Sequence, residues 1–123
     1  MNDKVILLVE DSQRDEELTL RALKKNNITN EVVVARDGIL ALDYLFGTGA
    51  HVGRNTAELP TVVLLDIKLP KIDGMEVLCR IRADERTKLL PVVMLTSSKQ
   101  EGDRLKCYTN GANRFVRKTI ELL

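Results

Sequence analysis

The chain has 123 residues, 44% of them hydrophobic and 30% charged, which is typical of one globular domain and leaves no room for a separate output domain. Its 19 Lys and Arg residues against 18 Asp and Glu residues give a net charge of +1, so charge offers no reason to expect binding to nucleic acid or to an anionic membrane. There is no apolar run of roughly 18 residues, no secretory signal and no zinc-type cysteine spacing, so we expect a cytoplasmic protein.

Short apolar runs alternate along the chain with segments of helical periodicity. This alternation predicts an α/β domain with the order βαβαβαβαβ and a parallel five-stranded sheet. Four of the five runs are apolar on consecutive residues, as expected for strands that are buried on both faces. The predicted strands are residues 5–9, 32–35, 62–65, 92–95 and a weaker run at 115–116.

Each of the four segments between these strands begins or ends with a recognised helix signal. The first and third begin with a capping-box pattern, and the fourth ends at an Asn-Gly pair. The signals are Ser12 with Asp15, Asp37 before Gly38, Asp73 with Glu76, and Asn110 before Gly111.

Two features between the strands carry weaker expectations. The connection over residues 47–60 is long for an α/β unit, and it fits a tolerated surface insertion better than a functional loop. Cys79 and Cys107 fall on apolar helix faces, so we expect both to be small core residues.

Polar side chains follow four of the five predicted strands. Because the carboxyl ends of parallel strands meet at one edge of the sheet, these side chains should share a site. The pair Arg36-Asp37 after the second strand is explained by helix capping, and we leave it out of the site. The remaining residues are Glu10 and Asp11, Asp66, Thr96 with the two serines after it, and Lys118.

The chemistry of these residues points to phosphoryl transfer. Three carboxylates at one edge repel each other, and a hard divalent cation such as Mg²⁺ would relieve that repulsion. The hydroxyl of Thr96 and the ammonium of Lys118 suit phosphate oxygens, and a carboxylate can act as the nucleophile.

The same residues resemble bacterial response-regulator receiver domains, with matching spacing along nearly the whole chain. The matching segments are Val-Glu-Asp at 9–11, Asp-Ile-Lys-Leu-Pro-Lys-Ile-Asp-Gly at 66–74, Leu-Thr-Ser at 95–97 and Gly-Ala-Asn-Arg-Phe-Val-Arg-Lys at 111–118. The resemblance implies a flavodoxin-like, doubly wound sheet and a single receiver domain over residues 1–123.

The resemblance also implies a role for each acidic residue. Asp66 would be the phosphoacceptor, and Asp11 and Asp66 would bind Mg²⁺ directly. The backbone carbonyl of Lys68 would be a third ligand, and Glu10 would act through water.

Other implied roles concern the phosphoryl group and the response to it. Thr96 and Lys118 would bind the phosphoryl oxygens, and Phe115 would be the aromatic switch residue that turns inward as Thr96 moves. Lys68 and Ser98 would flank the path of an attacking water. Because neither is an acid or an amide, we expect slow self-dephosphorylation.

The end of the chain departs from the family pattern. Thr119 stands where the family usually has a proline, and this feature and the long connection resemble stand-alone regulators of phytochrome-type histidine kinases. Residues 119–123 are too few for the fifth helix, which we expect to be missing or truncated. Apolar surface left uncovered would favour a homodimer. A shortened chain is the alternative explanation.

We therefore expect a response regulator that accepts a phosphoryl group from a histidine kinase and signals through protein contacts to an unknown target, without nucleic acid or membrane. It would be no enzyme beyond its own phosphorylation and dephosphorylation. One alternative is a pseudo-receiver interaction module that is not phosphorylated. A haloacid-dehalogenase-type phosphatase is less favoured, because it needs an Asp at the position of Lys68.

Overall fold

Five parallel strands form one sheet in the order β2-β1-β3-β4-β5. The computed structural model describes residues 4–96 and 101–117, apart from the side chains of residues 101–104 and 117. All five strands lie within two residues of the predicted bounds, so the predicted α/β class and parallel sheet are confirmed. The strands are β1 Ile6–Val9, β2 Val32–Ala35, β3 Val62–Asp66, β4 Val92–Thr96 and β5 Arg114–Arg117.

The helices begin where the capping signals predict. The side chains of Ser12, Asp37 and Asp73 accept hydrogen bonds from backbone N–H groups three residues further on, at 3.2, 2.8 and 2.9 Å. The helices are α1 Gln13–Lys25, α2 Gly38–Phe46, α3 Gly74–Ala83 and α4 Glu101–Thr109, with a short 3-10 helix at Gly49–His51 between α2 and β3.

The helices lie on both faces of the sheet. The chain steps from β1 to β2 in one direction and from β2 onward in the other, so right-handed crossovers place α1 on one face and the other helices on the opposite face. The main core forms under α2, α3 and α4, around buried strand residues such as Leu7, Val63 and Met94. This is the doubly wound arrangement that the family resemblance implies.

The α1 face of the sheet is less completely covered. In β3 and β4, Val62, Leu64 and Val93 are partly exposed, whereas the neighbours that point to the opposite face are buried. Four α-helices in the described part of the chain are consistent with a missing or truncated fifth helix, although that expectation concerns residues 119–123, which lie outside the described residues.

One expectation about the cysteines is wrong. Cys107 is buried as expected, but Cys79 is exposed. The core positions of α3 are the buried Val77, Leu78 and Ile81, so Cys79 lies outside the core. Its thiol donates to the side-chain oxygen of Asn110 at 3.6 Å. Within the described residues, no helix is both long and apolar enough to cross a membrane.

Candidate functional site

The register of the central strands brings the acidic residues together. Val9 of β1 pairs with Leu65 of β3, so Glu10 is the next residue beside Asp66. The site therefore lies at the carboxyl edge, between β1 and β3, where the strand order reverses its direction. This is the edge predicted from the sequence.

Glu10, Asp11 and Asp66 form one compact group of carboxylates. One oxygen from each lies within 4.8 Å of the others, which is close enough for all three to contact one ion. Glu10 is fully buried and Asp66 nearly so, whereas Asp11 is exposed to solvent. An all-oxygen donor set with one open side suits a hard divalent cation that keeps several waters.

Backbone N–H groups hold two of these carboxylates in place. The N–H of Ser12 donates to Oε2 of Glu10 at 3.3 Å, and the N–H of Lys68 donates to Oδ1 of Asp66 at the same distance. The side chain of Lys68 is exposed. Because the Lys68 N–H holds the Asp66 carboxylate, the orientation of Asp66 is linked to the turn that carries the Lys68 carbonyl.

Thr96 and Phe115 lie on the neighbouring strands. Leu95 of β4 pairs with Asp66, so Thr96 is the next residue along the site edge, and it is 1% exposed. Phe115 pairs with Met94 and packs, partly buried, against the main core. Of the other predicted site residues, Ser98 and Lys118 lie outside the described residues.

Gly74, the first residue of α3, packs directly against the backbone of Asp66. A Cβ atom at Gly74 would lie 2.1 Å from the carbonyl oxygen of Asp66 and 2.8 Å from Cα of Ile67. The N–H of Gly74 also donates to the carbonyl of Ile67 at 2.7 Å. Only a residue without a side chain allows α3 to approach the end of β3 this closely.

The sequence analysis missed one residue beside the site. We attributed the pair Arg36-Asp37 to helix capping, and Asp37 does cap α2. Arg36, however, turns toward β1, where it donates to the carbonyl of Glu10 at 3.4 Å and forms an ion pair with Glu16 of α1. The capping pattern of Asp37 does not indicate the contact of Arg36 with Glu10 or with Glu16.

Comparisons with known proteins agree with one another. Residues 6–122 match the response regulator receiver domain family. Response regulator Rcp1 of Synechocystis sp. is 40% identical over 119 residues, which cover 97% of this chain and 79% of Rcp1. The structure of Rcp1 in its Mn²⁺-bound form superposes with a TM-score of 0.84 at 39% identity, covering 95% of this chain and 82% of that one.

Two further solved structures are similar. The bacteriophytochrome response regulator AtBRR has a TM-score of 0.86 and 52% identity, and the match covers 98% of this chain and 85% of AtBRR. The phosphorylated cyanobacterial phytochrome response regulator RcpA also has a TM-score of 0.86, with 38% identity over 98% of this chain and 84% of RcpA.

Proposed function

This chain belongs to the response regulator receiver family and acts as a response regulator in a two-component phosphorelay, and we propose that Asp66 is the residue that is phosphorylated. The observation that carries the proposal is the position of Asp66 at the end of β3, where its carboxylate belongs to the group formed with Glu10 and Asp11. Receivers are generally phosphoacceptors rather than enzymes. Self-phosphorylation and self-dephosphorylation would be the only reactions of this chain.

The phosphoryl donor would be a phosphohistidine of a histidine kinase, of the phytochrome type if the similarity to phytochrome regulators extends to the partner. A carboxylate oxygen of Asp66 attacks phosphorus as the bond from phosphorus to the histidine nitrogen breaks. The product is an acyl phosphate on Asp66, and the histidine leaves as imidazole.

Mg²⁺ is the proposed cofactor. Asp11, Asp66 and the backbone carbonyl of Lys68 would hold it directly, and Glu10 through water. When bound, it neutralises the negative charge that carboxylate and phosphoryl group bring together. The donor group supports this assignment, and so does the Mn²⁺-bound form of Rcp1.

Thr96 and Lys118 would bind the phosphoryl oxygens, and Phe115 would respond to the movement of Thr96. The burial of Thr96 next to the site and the partial burial of Phe115 support a coupling between the site and the α4–β5 surface. The output is then a shift in the population of this surface, which a downstream protein target reads.

The remaining expectations belong to the same proposal. Residues 1–123 would act as one receiver domain, in the cytoplasm. Lys68 and Ser98 would give a long-lived acyl phosphate, since neither side chain can orient an attacking water well.

Acetyl phosphate with Mg²⁺, followed by intact mass measurement, tests the phosphoacceptor. We expect wild type to gain the mass of one phosphoryl group and Asp66→Asn to gain none. Asp73→Asn is the matched control, because Asn caps a helix as well as Asp does, and it should be labelled like wild type. Equal labelling of Asp66→Asn, or no labelling of wild type, would contradict the proposal. Mass spectra taken over several hours after removal of the donor measure the expected slow loss.

A further inference from the structure

Arg36 at the end of β2 contacts the segment that carries two of the three site carboxylates. Its Nη1 donates to the carbonyl oxygen of Glu10 at 3.4 Å, and its Nη2 forms an ion pair with Oε1 of Glu16 in the first turn of α1. The guanidinium group of Arg36 therefore lies beside the peptide group between Glu10 and Asp11, and its ion pair with Glu16 holds it there.

The segment between β1 and α1 has further anchors at both of its ends. The N–H of Glu10 donates to the carbonyl of Ala35 at 2.9 Å, and the side chain of Ser12 caps α1. Asp11 lies between these anchors and is exposed, and among the described residues its carboxylate has no hydrogen-bond donor that would fix it independently. Its position relative to Asp66 thus depends on the peptide that Arg36 contacts.

We propose that Arg36 is a positioning residue for Mg²⁺ binding, which acts by holding the Glu10–Asp11 peptide between β2 and α1 so that the carboxylates of Asp11 and Asp66 face the same ion. The inference deepens the function proposed above and rests on it. Within the described residues, the polar contacts of Arg36 are with the Glu10 carbonyl and with Glu16, so it would act on the site through the backbone. Partners of metal ligands commonly change metal affinity by about 10-fold or more when they are removed.

The charge of Arg36 and its position predict opposite effects of its removal on Mg²⁺ affinity, which makes the positioning role testable. A positive charge close to a cation site weakens cation binding, so its removal should by itself strengthen the binding of Mg²⁺. If Arg36 acts by position, Arg36→Ala weakens binding although a like charge has been removed. Arg36→Lys keeps the charge, but an ammonium group lacks the planar fork that reaches both Glu10 and Glu16.

The test is a calorimetric titration of the full chain with Mg²⁺ alone, with thermal unfolding of each variant measured in parallel. We expect the Kd for Mg²⁺ to rise about 10-fold in both Arg36→Ala and Arg36→Lys. Amide NMR spectra without metal should show shifts at Glu10 and Asp11. Arg80→Ala removes an Arg–Glu ion pair within α3 whose arginine is about as exposed as Arg36, and it should bind Mg²⁺ like wild type.

Unchanged or tighter Mg²⁺ binding by either Arg36 variant would overturn the proposal, as would an equal loss in Arg80→Ala. The outcome is separable from that of the proposed function, because labelling of wild type and Asp66→Asn by acetyl phosphate is measured independently. Wild type that binds Mg²⁺ and is labelled on Asp66, while the Arg36 variants bind Mg²⁺ equally well, contradicts only the role of Arg36.

Discussion

Gly74 packs against the backbone of Asp66, the proposed phosphoacceptor, and contributes no side chain of its own. Its backbone φ is not among the positive values, so the requirement for glycine comes from the contact with Asp66 and Ile67 and not from an unusual conformation. We expect Gly74→Ala to cost about 2–3 kcal/mol of stability, because the new methyl group must displace the backbone at the end of β3. The rate of labelling by acetyl phosphate should fall as well.

Gly53 provides the control for this prediction. It has a φ of +93°, but a Cβ atom there would meet nothing within 4 Å. Gly53→Ala should therefore cost about 1 kcal/mol through backbone strain alone and leave the labelling rate unchanged. Urea unfolding and the labelling time course measure both effects. A Gly74→Ala variant as stable and as reactive as wild type would show that α3 can move away freely.

Sequence reasoning found the acidic residues because strand ends in a parallel sheet share one edge. That rule needs only the strand assignments, and Glu10, Asp11 and Asp66 follow from it. Contacts that depend on side-chain reach between neighbouring strands do not follow, and Arg36 is the example. The exposure of Cys79 was missed for a similar reason, since a helical pattern does not say which flank of the apolar stripe faces the sheet.

At the scale of elements, the connection over residues 47–60 is fastened to the end of α2. The guanidinium of Arg54 donates to the carbonyl groups of Tyr44, Leu45 and Glu58 at 2.5, 3.4 and 2.9 Å, and it stacks over the Tyr44 ring at 4.2 Å. His51 meets the same ring edge-on. One side chain thus satisfies carbonyl groups at the end of α2 and at the far end of the loop.

We expect Arg54→Ala to destabilise the protein by about 2–3 kcal/mol, because hydrogen bonds from a charged donor and a cation–π contact are lost together. Arg54→Lys should lose most of the same amount, since an ammonium group cannot reach three carbonyls in one plane. Urea unfolding measures the loss, and labelling of Asp66 should remain normal. A change below about 0.5 kcal/mol would mean that the loop is as loosely held as a typical surface insertion.

Helix starts were predictable in this chain, and the structure of the long connection was not. A cap is a local interaction between residues three apart, so Ser12, Asp37 and Asp73 reveal it in the sequence. The contact of Arg54 with Tyr44 joins residues ten apart across a loop, and no periodic pattern marks it. The expectation of a tolerated surface insertion did not include this attachment of the segment to α2.

At the scale of the whole molecule, the two faces of the sheet differ. The partly exposed Val62, Leu64 and Val93 lie on the face that carries α1, whereas the residues of β3 and β4 that point to the opposite face, such as Val63 and Met94, are buried. Incomplete cover of an apolar face favours association with a second copy of the chain. The homodimer expected from the sequence remains a prediction, and substitutions on this face can test it.

Light scattering over a range of concentrations should give a mass that rises from one toward two chains. Val93→Thr removes apolar surface from each copy and should raise the dimer Kd by about 10-fold, since two burial contributions are lost. Val52→Thr makes the same exchange at a side chain that is 78% exposed in the long connection, and it should have no effect. A mass of one chain at every concentration would contradict the prediction.

The central position of β1 has a consequence for how the chain acquires its structure during synthesis. Residues 6–9 are synthesised before residues 62–65, yet β1 needs residues 62–65 as its second neighbour in the sheet. Pairing between segments so far apart in sequence is slow, because the chain loses loop-closure entropy before the contacts between the strands stabilise it. One edge of the apolar strand Ile6–Val9 thus stays unpaired until residues 62–65 have been made, and a chaperone would have its greatest effect in that interval. The proposed phosphorylation site cannot assemble earlier, since Glu10 and Asp11 directly follow β1 and Asp66 is the last residue of β3.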